Sequence, residues 1–148
     1  MAASCSAVQP ELSSLEMQEL QARVLDSDKR TVFNASVSVL QDAGYVVRNA
    51  DFDTGLITAA GETQNNTSLF GILASTTSSI QTTASVFVEP WEFHDTRIRV
   101  SFVEAYRSSG QYGQSTSSDS TIFTADVYRN FYQQLDKAIF VRNGTGGR

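Results

Sequence analysis

The stretch from Val39 to Gly61, VLQDAGYVVRNADFDTGLITAAG, constrains this chain more than any other part of it. Val32, Phe33, Ser36, Val37, Val39, Leu40 and Ala43 recur at three- and four-residue spacing, which predicts an amphipathic helix from about Lys29 to Ala43. Asp26, Ser27 and Asp28 precede it as cap residues, with acidic groups where unpaired backbone N–H groups collect. Gly44 follows as the residue that takes a left-handed conformation without penalty and ends the helix. Tyr45–Ala50 is rich in β-formers, Asp51-Phe-Asp-Thr-Gly55 carries turn chemistry, and Leu56–Gly61 returns. The segment is a helix followed by a hairpin, which bears on fold and not on chemistry.

The rest of the chain extends the same reading. Ser13 or Ser14 caps a first helix expected to run to about Leu25. Thr82–Glu89 alternates as a strand and Pro90 ends it. In Arg97–Arg107, Ile98, Val100 and Phe102 face one way and Arg97, Arg99 and Ser101 the other, the pattern of a sheet with one wet face. Ser108–Ser120 reads either as a loop or as the tip of a long hairpin closed by Thr121-Ile-Phe. From Thr124, the residues Tyr128, Phe131, Tyr132, Leu135, Ala138, Ile139 and Arg142 trace one face of a last helix, stopped at Asn143-Gly144. The expected fold class is α+β: an antiparallel sheet of four to five strands with helices packed on one face. One domain over 13–143 is expected, with a disordered tether over 1–12 and a disordered tail over 144–148.

Composition narrows the function classes. With 148 residues the chain holds one hydrophobic core. Charged residues make up 18% and the net charge is −5, so there is no basic footprint and nucleic acid is not an expected partner. Scarce charge and many hydroxyls suit an extracytoplasmic protein. No run of ~18 apolar residues is present to span a membrane as a helix. The single cysteine is Cys5, so an intrachain disulfide is excluded. It follows small residues and precedes a polar, proline-containing stretch, as at the end of a bacterial lipobox; the other reading is an incidental thiol.

Three stretches together, Met17–Leu25, the VLQDAGY…DTGLITA segment, and Tyr128-Arg-Asn-Phe-Tyr-Gln-Gln-Leu-Asp-Lys-Ala-Ile-Phe, resemble a family of uncharacterised bacterial envelope lipoproteins. The hairpin and last helix also look like the helix-grip modules of the lipoprotein C subunit of the outer-membrane β-barrel assembly machinery, at the level of fold. The resemblance implies a location in the cell envelope, on the periplasmic side and anchored to the outer membrane. It implies Cys5 as the lipid attachment site and an unidentified envelope protein as partner.

No motif for catalysis or cofactor binding is legible, and the expected protein is not an enzyme and holds no cofactor or metal. His94, the only histidine, sits in a turn with no Gly-x-Ser-x-Gly elbow in the chain; a hydrolase built on it is the weakest reading. Asp51 and Asp53 offer too few oxygens for a calcium loop, and turn formation accounts for both. The expected function is that of a non-enzymatic envelope lipoprotein acting as a binding or assembly-accessory module, its contact surface either the sheet face or an apolar one: Leu69, Phe70, Ile72 and Leu73 in the burst before the Ser/Thr tract, with Trp91 and Phe93 after the strand that Pro90 ends. A second expectation is a small-ligand or lipid carrier with an apolar cleft between sheet and C-terminal helix, lined by Phe87, Phe102, Tyr128, Phe131 and Tyr132.

Overall fold

Two strands of 14 residues each, Thr77–Pro90 and Thr96–Ser109, form the centre of the molecule. A computed structural model describes residues 13–62, 64–66, 77–110, 113–122 and 124–145. In chain order the elements are α1 (Ser14–Gln21), β1 (Ala22–Leu25), α2 (Lys29–Asp42), β2 (Val46–Asp51), β3 (Leu56–Ala60), β4 (Gln64–Asn66), β5 (Thr77–Pro90), β6 (Thr96–Ser109), β7 (Ser115–Thr121) and α3 (Ala125–Thr145). Every strand pairing is antiparallel, in the order β1-β6-β5-β3-β2 across the body. Beyond the body the two long strands continue, flanked by β4 on β5 and by β7 on β6. The class is α+β, with an antiparallel sheet and helices packed on it.

Alternation along β5 and β6 divides the molecule. Ala84, Val86 and Val88 pair with Phe102, Val100 and Ile98, and all six are buried together with Ile57 and Ala59 of β3. This face carries the helices. Val32, Phe33, Val39 and Leu40 of α2 and Tyr128, Phe131, Tyr132, Leu135 and Ile139 of α3 complete one core with it. The other face holds Leu56, Phe87, Arg97, Arg99 and the hydroxyl residues Thr58, Thr83, Ser85 and Ser101, none of them buried.

Local chemistry sets the ends of the elements. The Asp28 carboxylate caps α2, accepting from Thr31 N at 3.1 Å and from Thr31 Oγ1 at 2.6 Å. The hydroxyl bond from Thr31 is the main reason its pKa lies below the ordinary value. At the other end Tyr45 N–H donates to Leu40 O at 2.9 Å and Gly44 N–H to Gln41 O at 3.0 Å, with Gly44 at φ 90°, a Schellman closure. Ser13 caps α1 in a full capping box with Glu16.

The five-stranded body agrees with the expected sheet. Strands β4 and β7 add to it, pairing as backbone without any apolar alternation to announce them. Three expectations need correction. The first helix ends at Gln21, not near Leu25, because Ala22–Leu25 pairs with Arg99–Thr96 and satisfies the otherwise bare edge of β6. The last helix does not stop at Gly144 but runs to Thr145, and Gly144 keeps a negative φ. Finally, Phe87 sits on the face away from the helices.

Gly55 fastens the hairpin to the centre. It has φ 79°, its N–H donates to Asp51 O at 2.8 Å, and its carbonyl accepts from Val88 N at 2.8 Å. A Cβ there would overlap the Val88 carbonyl oxygen, which is backbone and has no room to move. Gly55→Ala therefore combines left-handed strain with loss of the β3–β5 junction, and a cost of at least ~2 kcal/mol is expected in urea unfolding. Gly44→Ala, whose Cβ meets nothing within 4 Å, is expected to cost only ~1 kcal/mol. Equal costs at the two glycines would contradict this account.

Candidate functional site

Two surfaces have the makings of a site. The first lies where α2, α3 and the sheet meet. Helix α2 ends with Val39, Leu40 and Ala43 along one side, and the small Ala43 beside Gly44 leaves a gap where α2 turns away. Phe102 forms the floor, with Tyr45 beside it, and Val127 and Phe131 of α3 form the far wall. Together they bound an open-mouthed cleft of about 450 Å³, with Asp126, Asn130 and Gln134 at its rim. The volume falls in the range of small-molecule sites.

The aromatic floor is rigid. Phe102 stacks edge-on against Tyr128 at 5.4 Å and Phe131 at 5.9 Å and lies 6.2 Å from Tyr45. The Tyr128 hydroxyl donates to Ile122 O at 2.9 Å, so the start of α3 is tied to the chain leaving β7. Tyr132 donates to Gln21 O at 2.9 Å, and burial holds its pKa far above the ordinary phenol value although the Arg23 guanidinium stacks 4.3 Å from its ring. Burial raises the Tyr45 phenol too, with the Glu104 charge adding to it. The Tyr45 and Tyr132 phenols stay protonated at neutral pH, and the described residues that line the cleft include no histidine, cysteine, serine or lysine. Their chemistry is apolar contact with amide and carboxylate groups at the mouth.

The cleft opens into a groove of about 750 Å³ between α2 and α3, sharing Val39, Ala43, Asn130 and Gln134 with it and ending at Lys137, Val141 and Arg142. Arg142 is not loose there: its guanidinium donates to Ser38 Oγ at 2.6 Å, which joins the two helices.

The second surface is the sheet face away from the helices. Phe87 (38% exposed), Leu56 (39%), Val24 (46%) and Val46 (56%) leave apolar area open beside Arg99. Arg97 pairs with Glu89 at 3.3 Å and lies 5.0 Å from the Trp91 ring.

The residues expected from sequence are scattered. Trp91 and Phe93 lie in the β5–β6 turn, Trp91 half-exposed under Arg97 and Phe93 fully exposed at φ 58°. They do not form one patch with the cleft. His94 is exposed in the same turn. Asp51 Oδ1 accepts from Asp53 N at 3.0 Å and so closes its own turn. Among the residues described, no group of three or more histidine, cysteine, aspartate or glutamate side chains is placed to hold a metal ion. No helix among them is long and apolar enough to cross a membrane. Phe102 and Phe131 line the cleft, whereas Tyr128 and Tyr132 are packed in the core. Cys5, Leu69, Phe70, Ile72 and Leu73 lie outside the described residues.

Sequence reasoning missed Tyr45, Ala43, Asn130 and Gln134 as cleft residues. The small-residue pair at the end of α2 was the available signal. The chain matches no protein-family model and no curated protein.

Proposed function

We propose that this protein is a non-enzymatic binding module of the bacterial cell envelope, tethered through a lipid on Cys5, that holds a small apolar ligand in the cleft between α2, β6 and α3. The observation that carries the reading is the cleft itself: a floor of Phe102, walls of Val39, Leu40, Val127 and Phe131, and polar groups only at the rim. Such a site takes an apolar body and leaves a polar end in water, as an acyl chain or an aromatic acid would present it. The envelope setting and the tether rest on the lipoprotein resemblance and on the position of Cys5.

A second reading, in which the protein is an accessory that docks on another protein, is favoured by one observation. Leu56, Phe87, Val46 and Val24 are exposed on a sheet face that no described element covers.

Ligand binding is tested by thermal shift with single-chain acyl compounds and aromatic acids. At a hundredfold excess over Kd, stabilisation of ~2.7 kcal/mol is expected, a rise of several degrees in Tm. Ala43→Trp, which fills the gap from an exposed position, is expected to abolish the shift while leaving the fold intact. A library in which nothing raises Tm, or shifts unchanged in Ala43→Trp, would remove the carrier reading.

The tether is tested by intact mass and fractionation of the full-length protein in its native cell. A diacylglycerol and acyl mass increment in the membrane fraction, lost in Cys5→Ala, is expected. An unmodified protein would remove the lipoprotein reading and leave the cleft untouched.

A further inference from the structure

The cleft and the groove are two parts of one channel along α3. Val127, Asn130, Gln134 and Lys137 follow one another at three- and four-residue spacing and share a side of that helix. Val127 lines the cleft, Lys137 lines the groove, and the amides of Asn130 and Gln134 line both. On the α2 side Val39 and Ala43 also line both, so apolar contact continues past the junction. Along the helix axis Lys137 lies ~15 Å from Val127 and ~9 Å from Phe131.

Charge is distributed unevenly along this channel. Anions stand at the cleft end. Glu104 follows Phe102 on the same face of β6, and its charge reaches the Tyr45 phenol. Asp126 is on the rim, 3.6 Å from Arg129. Cations stand at the groove end, where Lys137 and Arg142 line the walls. The bond to Ser38 Oγ at 2.6 Å holds the Arg142 guanidinium in place. Lys137 forms no ion pair with any described residue, Asp42 in the same groove included.

We propose that the channel binds a long single acyl chain ending in a carboxylate, with the chain over Phe102 in the cleft and the carboxylate beside Lys137 in the groove. The inference rests on the carrier reading above and adds to it the charge, the least length and the direction of the ligand. Direction follows from the two ends, since the reverse placement would set the carboxylate against Glu104 and Asp126. Length follows from the spacing along α3. A carboxylate held level with Phe131 is still ~9 Å from Lys137, beyond the ~8 Å over which physiological salt screens exposed charges. Only a chain that leaves the cleft and passes Gln134 brings its head to the lysine. Charge follows from the groove lining, in which Lys137 and Arg142 outweigh Asp42 by one, which suits a monoanion.

The test is isothermal titration calorimetry on the full chain with palmitate, methyl palmitate, hexadecylamine and benzoate, the lipids delivered from a cyclodextrin carrier. Palmitate is expected to bind about fivefold more tightly than its methyl ester, the advantage of one solvent-exposed ion pair. Lys137 is exposed on α3, so its variants keep the fold. Lys137→Met is expected to remove the advantage of palmitate and to leave the ester and benzoate affinities unchanged. Lys137→Glu is expected to make hexadecylamine bind more tightly than palmitate. Equal affinities of the unaltered chain for palmitate and methyl palmitate would overturn the inference and leave the carrier reading in place. So would tighter binding of hexadecylamine than of palmitate by the unaltered chain, which would put the head at Glu104. A Lys137→Met variant that weakens acid and ester alike, or benzoate as much as palmitate, would also overturn it. Binding of none of the four would remove the carrier reading and this inference with it.

Discussion

The period of two along β5 and β6 is the constraint on which the rest of the molecule depends. Over Ala84–Val88 and Ile98–Phe102 it puts a continuous apolar strip on one face and two serines, one arginine and one phenylalanine on the other. A one-residue slip of β6 against β5 would send Arg99 into the core and Val100 out of it, so the register is fixed by the cost of burying a guanidinium. Everything else is an answer to that division. Helices α2 and α3 cover the apolar strip, and α1 closes its end through Met17 and the Gln21–Tyr132 hydrogen bond. The hairpin of β2 and β3 extends it through Ile57 and Ala59.

The cleft follows from the same division meeting a length mismatch. The long strands continue past the helix-covered body to Thr77 and Ser109, whereas α2 ends at Asp42 and turns out through Gly44. Where the helix leaves, Phe102 still belongs to the core and α3 still passes over it, so one side of an aromatic floor is left uncovered. The site is therefore a consequence of where a helix stops. Gly44 and Ala43, which look like terminating residues, act also as the opening of the cleft.

Legibility in the sequence divides along physical lines. Wherever burial imposes a period, the pattern could be read: Val32 to Leu40 on α2, Tyr128 to Ile139 on α3, Ile98 to Phe102 on β6, and the Asp51–Gly55 turn. Where pairing alone makes the structure, it could not. Ser115–Thr121 buries nothing and is a strand only because β6 offers a free edge. Ala22–Leu25 carries a weak helical stripe that an unpaired edge overrides. Trp91 and Phe93 attracted notice as large apolar residues in a loop, but one is stacked beneath Arg97 and the other stands alone in solvent. Large side chains in turns signal less than small ones at helix ends.

The assignment of Phe87 shows how far a single residue depends on the whole sheet. By composition it belongs with Phe102, Phe131 and the tyrosines in an aromatic cluster. By parity it cannot, because Val86 and Val88 on either side of it are fully buried. A phenylalanine held at 38% exposure in the middle of a sheet, with Leu56 beside it and Arg99 across from it, exposes apolar area that a strand facing only water would fill with threonine. The neighbouring row has done that at Thr58, Ser85 and Ser101. The contrast between the two rows, one fit for water and one not, makes the face a surface that has something to gain by being covered.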